Sequence, residues 1–377
     1  MKFTGFELRR VALPLVAPFR TSFGVEHRRD VLLVRALGVG GAEGWGECVA
    51  GLEPGYSAEY VDGAHEVIRR FLIPALAAAG RTGTVVGAGD LDAAGVEKVF
   101  AAVKGHPMAK AAVETAILDA QLRDAGMPLS SFLGAVRPTV AAGVSVGIHD
   151  SIPQLLDAVE GYLADGYVRI KLKIEPGWDV APVRAVRERF PDILLQVDAN
   201  TAYTLADARR LAQLDAFDLL LIEQPLPSDD LRGHAALAKL LRTPMCLDES
   251  ITSARAAADA IALGAAAIVN IKPGRVGGYL EARRVHDVCV ANGIPVWAGG
   301  MLETGIGRAA NVALAALPGF TLPGDTSASA RYFARDITEP FVLEDGALRV
   351  PTGPGIGVLP DPDELRRVTT SMEHVTI

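Results

Sequence analysis

The stretch Val168-Arg169-Ile170-Lys171-Leu172-Lys173 decides the fold: an apolar run that ends abruptly on charge. Four later stretches repeat this form. Ile193-Leu194-Leu195-Gln196-Val197 ends in Asp198-Ala199-Asn200, and Leu219-Leu220-Leu221-Ile222 ends in Glu223-Gln224-Pro225. Met245-Cys246-Leu247 ends in Asp248-Glu249-Ser250, and Ile268-Val269-Asn270-Ile271 ends in Lys272. From Lys173 to Asp198, Glu223, Asp248 and Lys272 in turn, the steps are 25, 25, 25 and 24 residues. One strand, one helix and two short loops fill such a step. The regularity predicts a parallel barrel whose consecutive strands carry these residues at one height, at the C-terminal rim where such barrels build active sites.

Working outward, Ala141–Ile148 precedes the series, and Pro295–Ala298 and Thr321–Leu322 follow it, giving eight short runs between helical patterns. Before the barrel, Phe3–Leu15, Asp30–Gly40 and Ala42–Val49 alternate as strands, with Gly40-Gly41 as a hairpin turn. Helical spacing begins after Ser57, and a second helix is expected over Pro107–Ala125, with Gly126 just past its end. The expected organisation is an α/β chain. It has an α+β N-terminal capping domain over 1–127, a barrel over 138–326, and a C-terminal segment over 335–377 that packs back on the cap. Asp345-Gly346 predicts a hairpin joining Phe341–Leu343 to Ala347–Val350.

Composition narrows the function. The formal charge of −8 and the absence of a basic stretch argue against nucleic acid. Ala-rich stretches such as Ala254–Ala267 are too short and too charged to span a bilayer. The start MKFTGFELRR has no basic–apolar–cleavage pattern, so a cytoplasmic protein is expected. Cys48, Cys246 and Cys289 form no C-x-x-C pair and read as small buried hydrophobes in a reducing compartment.

Charge decides what fills the barrel mouth. Three carboxylates, Asp198, Glu223 and Asp248, cannot be buried together unpaired. A hard divalent cation relieves them, and an all-oxygen set suits Mg²⁺, with Mn²⁺ as a substitute, better than Zn²⁺. A metal flanked by lysines can bind a substrate carboxylate and stabilise the enediolate left when the α-carbon loses a proton. To act as a base a lysine must be neutral, and nearby cations are expected to lower its pKa. Lys173 is nearest the rim and is assigned as the base. Lys171, two residues away on the same face, is its tuning or carboxylate-pairing neighbour. Lys272 is either an opposite-face acid or base, or a cation that only stabilises charge.

With K-x-K, D-x-N, E-Q-P, D-E-S and a sixth-strand lysine in place, the chain resembles the enolase superfamily, muconate-lactonising subgroup. The stretches Lys272–Gly278, Gly299–Arg308 and Leu322–Ser329 are similar to the o-succinylbenzoate synthase / N-acylamino acid racemase family. The seventh strand ends in Gly299-Gly300-Met301 without a histidine, and Pro323-Gly324-Asp325 lacks the D-x-D of dipeptide epimerases. The resemblance implies a (β/α)7β modified TIM barrel under the cap, a small-molecule carboxylate substrate and a homo-oligomer. It leads first to dehydration giving o-succinylbenzoate in menaquinone synthesis. The alternative is racemisation of N-acylamino acids such as N-succinylamino acids.

Two cap segments, Ala17–Gly24 and Gly51–Tyr56, have Gly and Pro flanking aromatics and are expected to form a mobile lid. Phe19, Phe23 and Tyr56 would then touch an aromatic or acyl group. Asn200, Ser145 and Met301 would line the mouth, with Glu249 and Arg275 behind them. Glu303 is expected in a solvated loop.

Overall fold

The computed structural model describes residues 1–82 and 91–377. Its strands are β1 (Phe3–Thr21), β2 (Gly24–Gly38), β3 (Glu43–Cys48), β4 (Thr139–Ala141) and β5 (Gly143–Val146), followed by β6 (Arg169–Lys173), β7 (Leu194–Asp198) and β8 (Ile222–Glu223). The series continues with β9 (Met245–Leu247), β10 (Ile268–Ile271), β11 (Val296–Ala298), β12 (Ala347–Arg349) and β13 (Thr369–Thr376).

The N-terminal strands form an antiparallel sheet in the order β13-β1-β2-β3, so the end of the chain supplies an edge strand of the cap. This sheet lies against the helix Pro107–Asp124, which is buried along most of its length. Two glycines of β3 make the approach possible. A Cβ on Gly44 would fall 2.1 Å from the Ala120 nitrogen, and one on Gly46 would fall 2.0 Å from the Ala112 carbonyl oxygen. The sheet therefore rests on helix backbone.

The expected mobile loop over Ala17–Gly24 is instead the end of a long hairpin. Phe19, Arg20 and Thr21 pair with Glu26, Val25 and Gly24, after an irregularity between Pro14 and Phe19. Pro18 lacks an N–H and sits within that break, which hides the strand from an alternation test. The tip is docked on the barrel: the Ile148 N–H donates to the Arg20 carbonyl at 3.0 Å, and the Val16 N–H donates to Tyr332 at 2.9 Å.

The barrel is a parallel sheet in the order β11-β10-β9-β8-β7-β6-β5. Its ring is closed by the segment 319–325, which forms bridges at Phe320 and Gly324 and no extended strand. The Val296 N–H donates to Gly319 at 3.2 Å, and the Gly143 N–H donates to Gly324 at 2.7 Å. The predicted eighth strand at Thr321–Leu322 is thus a bridged loop. The fold is α/β, a modified (β/α)7β barrel under an α+β cap.

Inside the ring, Leu221, Cys246, Ile268 and Trp297 form a small apolar floor. Two residues further along the same strands stand Glu223, Asp248, Asn270 and Gly299. Because side chains repeat with period two, the same inward face changes from apolar to polar at the mouth. The residues do not share one register level. Lys173 pairs with Asp198 and Asp198 with Glu223, but Glu223 pairs with Cys246, and Val269 pairs with Leu247. Asp248 and Lys272 therefore each stand two residues beyond their neighbour's level, as the stagger of a tilted barrel requires.

From residue 335 onward, only β13 joins the cap sheet. β12 pairs antiparallel with β4 at the N-terminal end of β5. The Asp345-Gly346 turn forms, with both residues at positive φ, but it delivers β12 to β4 rather than to Phe341–Leu343. All three cysteines are free and buried. Among the described residues no helix is long and apolar enough to cross a membrane.

Candidate active site

The strand ends bring the sequence-predicted charges into one buried cluster. Lys173 Nζ donates to Asp198 Oδ2 and to Asn200 Oδ1, both at 2.6 Å. Lys171 Nζ lies 3.2 Å from Asp198 Oδ2, 3.1 Å from Glu223 Oε2 and 2.7 Å from Asp325 Oδ2. Lys272 Nζ donates to Asp248 Oδ2 at 2.8 Å. Counted round the ring, β6 and β10 are four steps apart among eight positions, so Lys173 and Lys272 face each other across the carboxylates.

Each carboxylate has a different environment. Burial opposes ionisation of Asp198, but Lys173 and Lys171 outweigh it and hold its pKa below the usual range. Lys272 and Arg275 do the same for Asp248. Glu223 is pushed up to about 7 by burial and by the charge of Asp198, against the pull of Lys171. Asn270 Nδ2 donates to its Oε1 at 2.6 Å.

For Lys171 and Lys272 the neighbouring acids, not the cations, set the direction of the pKa. Burial does disfavour the Lys171 ammonium, yet Asp325, Glu223 and Asp198 together raise its pKa well above the ordinary value. Lys272 is likewise raised, by Asp248 against burial. Here the acids outweigh the cations.

Among the described residues, no three His, Cys, Asp or Glu side chains converge closely enough to hold a metal as they stand. Each acid is turned to an ammonium or guanidinium. Asp198 and Glu223 nevertheless meet on one cation, the Lys171 ammonium, and Asp198 and Asp248 both raise the pKa of Glu223. A buried, oxygen-only set that already gathers round positive charge fits a hard divalent ion.

Above the cluster lies a cavity of about 400 Å³ whose wall includes Phe19, Phe23, Tyr56, Met108, Asn200 and Met301, with Lys173 and Lys272 at its base. Phe23 lies 6.5 Å from Tyr56 between ring centres, and Phe19 packs edge-on against Tyr332. The Tyr56 hydroxyl donates to Asp248 Oδ1 at 3.1 Å, and its ring centre lies 4.4 Å from Lys272 Nζ. Ser145 is deeper: it pairs with Lys171 in register, its hydroxyl is buried without a partner, and it is absent from the cavity wall.

Arg275 bonds Asp248 and donates to the carbonyls of Ile251 and Asn270 at 2.7 and 2.6 Å. Glu249 accepts from Asn200 Nδ2 at 3.0 Å; burial and the neighbouring Asp248 and Asp198 charges raise its pKa. Glu303 is not solvated. It is buried and accepts from the Met301 N–H and from Asn311 Nδ2, both at 2.9 Å, which fixes the loop carrying Met301.

Sequence reading missed Asp325 and Asn270 as members of the cluster. Asn270 lies two residues before Lys272 and so shares its face, a signal that was available. Asp325 ends the eighth run but follows a segment with no strand periodicity.

Two family models match the chain: "Mandelate racemase / muconate lactonizing enzyme, N-terminal domain" over residues 5–134 and "Enolase C-terminal domain-like" over 154–364. The chain belongs to the enolase superfamily. Within it the chain falls in the muconate-lactonising subgroup, and it is an enzyme of the o-succinylbenzoate synthase / N-succinylamino acid racemase type. An N-succinylamino acid racemase from an Amycolatopsis species is 67% identical, covering 98% of each chain. An o-succinylbenzoate synthase from Geobacillus kaustophilus is 47% identical, covering 96% of this chain and 94% of its own. A solved enolase-superfamily member from Listeria innocua is 40% identical with a TM-score of 0.93, covering 100% of this chain and 99% of its own. Enzymes of this kind are metal-dependent. The higher identity stands with the racemase, which reverses the order expected from the sequence.

Proposed function

We propose that the protein racemises N-succinylamino acids, with Lys173 and Lys272 working on opposite faces of the α-carbon. The observation that carries this reading is their placement across the ring, each on its own carboxylate. For one enantiomer a neutral Lys173 accepts the α-proton while the Lys272 ammonium delivers one to the other face; for the mirror enantiomer the roles exchange. Asp248 and the Tyr56 ring favour the charged, proton-donating form of Lys272. Lys171, held charged by Asp325, stays an electrostatic partner of the substrate carboxylate.

Asp198, Glu223 and Asp248 would hold Mg²⁺, with Mn²⁺ as a substitute, and the bound ion would stabilise the charge that develops on the substrate carboxylate as its α-proton leaves. Asn200 steadies Lys173. Phe19, Phe23, Tyr56 and Met301 exclude water from the acyl and side-chain groups. Ser145 offers its unpartnered hydroxyl below the mouth.

The second reading is dehydration to o-succinylbenzoate, supported by the synthases among the relatives. There Lys173 alone moves the proton, returning it to the departing hydroxide, and Lys272 only stabilises charge. The same site serves both reactions. A cytoplasmic location and a homo-oligomeric state go with this reading.

The test is direct. With Mg²⁺, chiral chromatography of an N-succinyl-L-amino acid should show both enantiomers approaching equal amounts. Turnover of the cyclohexadiene carboxylate without any racemisation would leave the synthase reading alone.

A further inference from the structure

We propose that Gln224 is a positioning residue that sets the candidate metal ligand Asp248 against Glu223, and that Ser250 and His234 brace it for this task. The inference rests on the metal reading above. Gln224 follows Glu223 at the end of β8 and is completely buried, with φ at +38°, a conformation that non-glycine residues adopt at a cost. Such outliers persist where the surroundings hold them, and they concentrate at functional sites.

The strained backbone turns the carboxamide sideways onto the next strand end. Its Oε1 accepts from the Asp248 N–H at 2.9 Å and from the Ser250 N–H at 3.2 Å. Both donors are backbone N–H groups, so the accepting atom must be the oxygen and the amide orientation is fixed. Nε2 then donates to Ser250 Oγ at 2.7 Å and to the Leu226 carbonyl at 3.2 Å. The main chain adds two bonds: the Gln224 N–H donates to Cys246 at 2.9 Å, and the Thr201 N–H donates to the Gln224 carbonyl at 2.8 Å.

One residue, by side chain and main chain together, therefore ties the strand ends that carry Asp198, Glu223 and Asp248. His234, fully buried on the following helix, completes the brace. Its Nε2 accepts from the Leu226 N–H at 3.2 Å and lies 3.4 Å from Gln224 Nε2, while Nδ1 lies 2.8 Å from the Asp230 carbonyl. The acceptor at Nε2 places the proton on Nδ1, so the ring is neutral. A leucine at position 224 would keep the bulk and the two main-chain bonds but lose every side-chain tie, leaving the Asp248 N–H buried without an acceptor.

The decisive experiment titrates Mn²⁺ into the purified full-length chain and counts free ion by its paramagnetic signal. The wild type should bind about one ion per site with Asp198, Glu223 and Asp248 intact. Gln224→Leu should weaken binding by about 10- to 100-fold, the range for residues that orient metal ligands, while retaining a native circular-dichroism spectrum and cooperative unfolding. Ser250→Ala should weaken it about threefold. Lowered melting temperature with unchanged Mn²⁺ affinity would make Gln224 a mere turn former and overturn the proposal. If Gln224→Leu does not fold, Ser250→Ala and His234→Gln decide: unchanged affinity in both overturns it. A wild type that binds no ion contradicts the metal reading itself, a distinguishable failure.

Discussion

The two lysine flanks of the barrel mouth are built from different parts of the molecule. Lys173 is held by Asp198 and Asn200, both from the end of the next strand, and the cap reaches this side through Ser22, whose hydroxyl donates to the Asn200 carbonyl at 3.4 Å. Lys272 is held by Asp248 but also lies under the ring of Tyr56, a cap residue whose hydroxyl bonds that same Asp248, with Arg275 alongside. One lysine is placed by the barrel; the other is placed by barrel and cap together. A change in the cap should therefore disturb reactions that need both lysines more than a reaction that needs Lys173 alone.

The largest effect should come from what the flanks share. Chelation with excess EDTA should lower both racemisation and dehydration on the order of 10³-fold or more, restored by Mg²⁺. Full activity after chelation would remove the metal from both readings.

Next come the lysines themselves. Lys173→Ala should cost each reaction about 10²–10⁴-fold, the usual worth of a positioned acid or base. Lys272→Ala should cost racemisation as much and dehydration clearly less, measured as kcat/KM side by side. Equal losses in both reactions would erase the distinction between the flanks.

The pH dependence gives a smaller, graded effect. Burial and the Asp198 charge push the Glu223 carboxyl up to about 7 in the folded chain, from its ordinary value of 4.5. A raised acid favours the fold in its protonated form. That contribution is present below 4.5 and is lost as pH rises towards 7. Metal binding needs the ionised form, so affinity should fall about tenfold per pH unit below 7. The melting-temperature gain from Mg²⁺ should accordingly grow from pH 5.5 to 8. A gain independent of pH would take Glu223 out of the ligand set.

The smallest effect tests the cap's hold on one flank. Tyr56→Phe removes the hydroxyl and keeps the ring. It should lower racemisation about 3- to 10-fold, the net worth of a typical hydrogen bond, with dehydration changed less.

What the sequence revealed follows from this construction. The five charges at steps of 25, 25, 25 and 24 residues were legible because each barrel unit repeats strand, helix and loops at near-constant length. The stagger of Asp248 and Lys272 was not, since register depends on strand tilt, which leaves no mark on spacing. The Ala17–Gly24 strand was obscured by Pro14 and Pro18. Asp325 was obscured because its segment closes the ring by bridges rather than by a strand. Glu303 was read as solvated because its partners, the Met301 N–H and Asn311, come together only when the loop folds back on the following helix.

The most direct test of the two opposed lysines is α-proton exchange in D₂O with Mg²⁺, following each enantiomer of an N-succinylamino acid separately. The wild type should exchange both enantiomers, Lys173→Ala should lose exchange from one, and Lys272→Ala should lose it from the other. Exchange of both enantiomers persisting in Lys272→Ala would contradict the assignment of Lys272 as the second base.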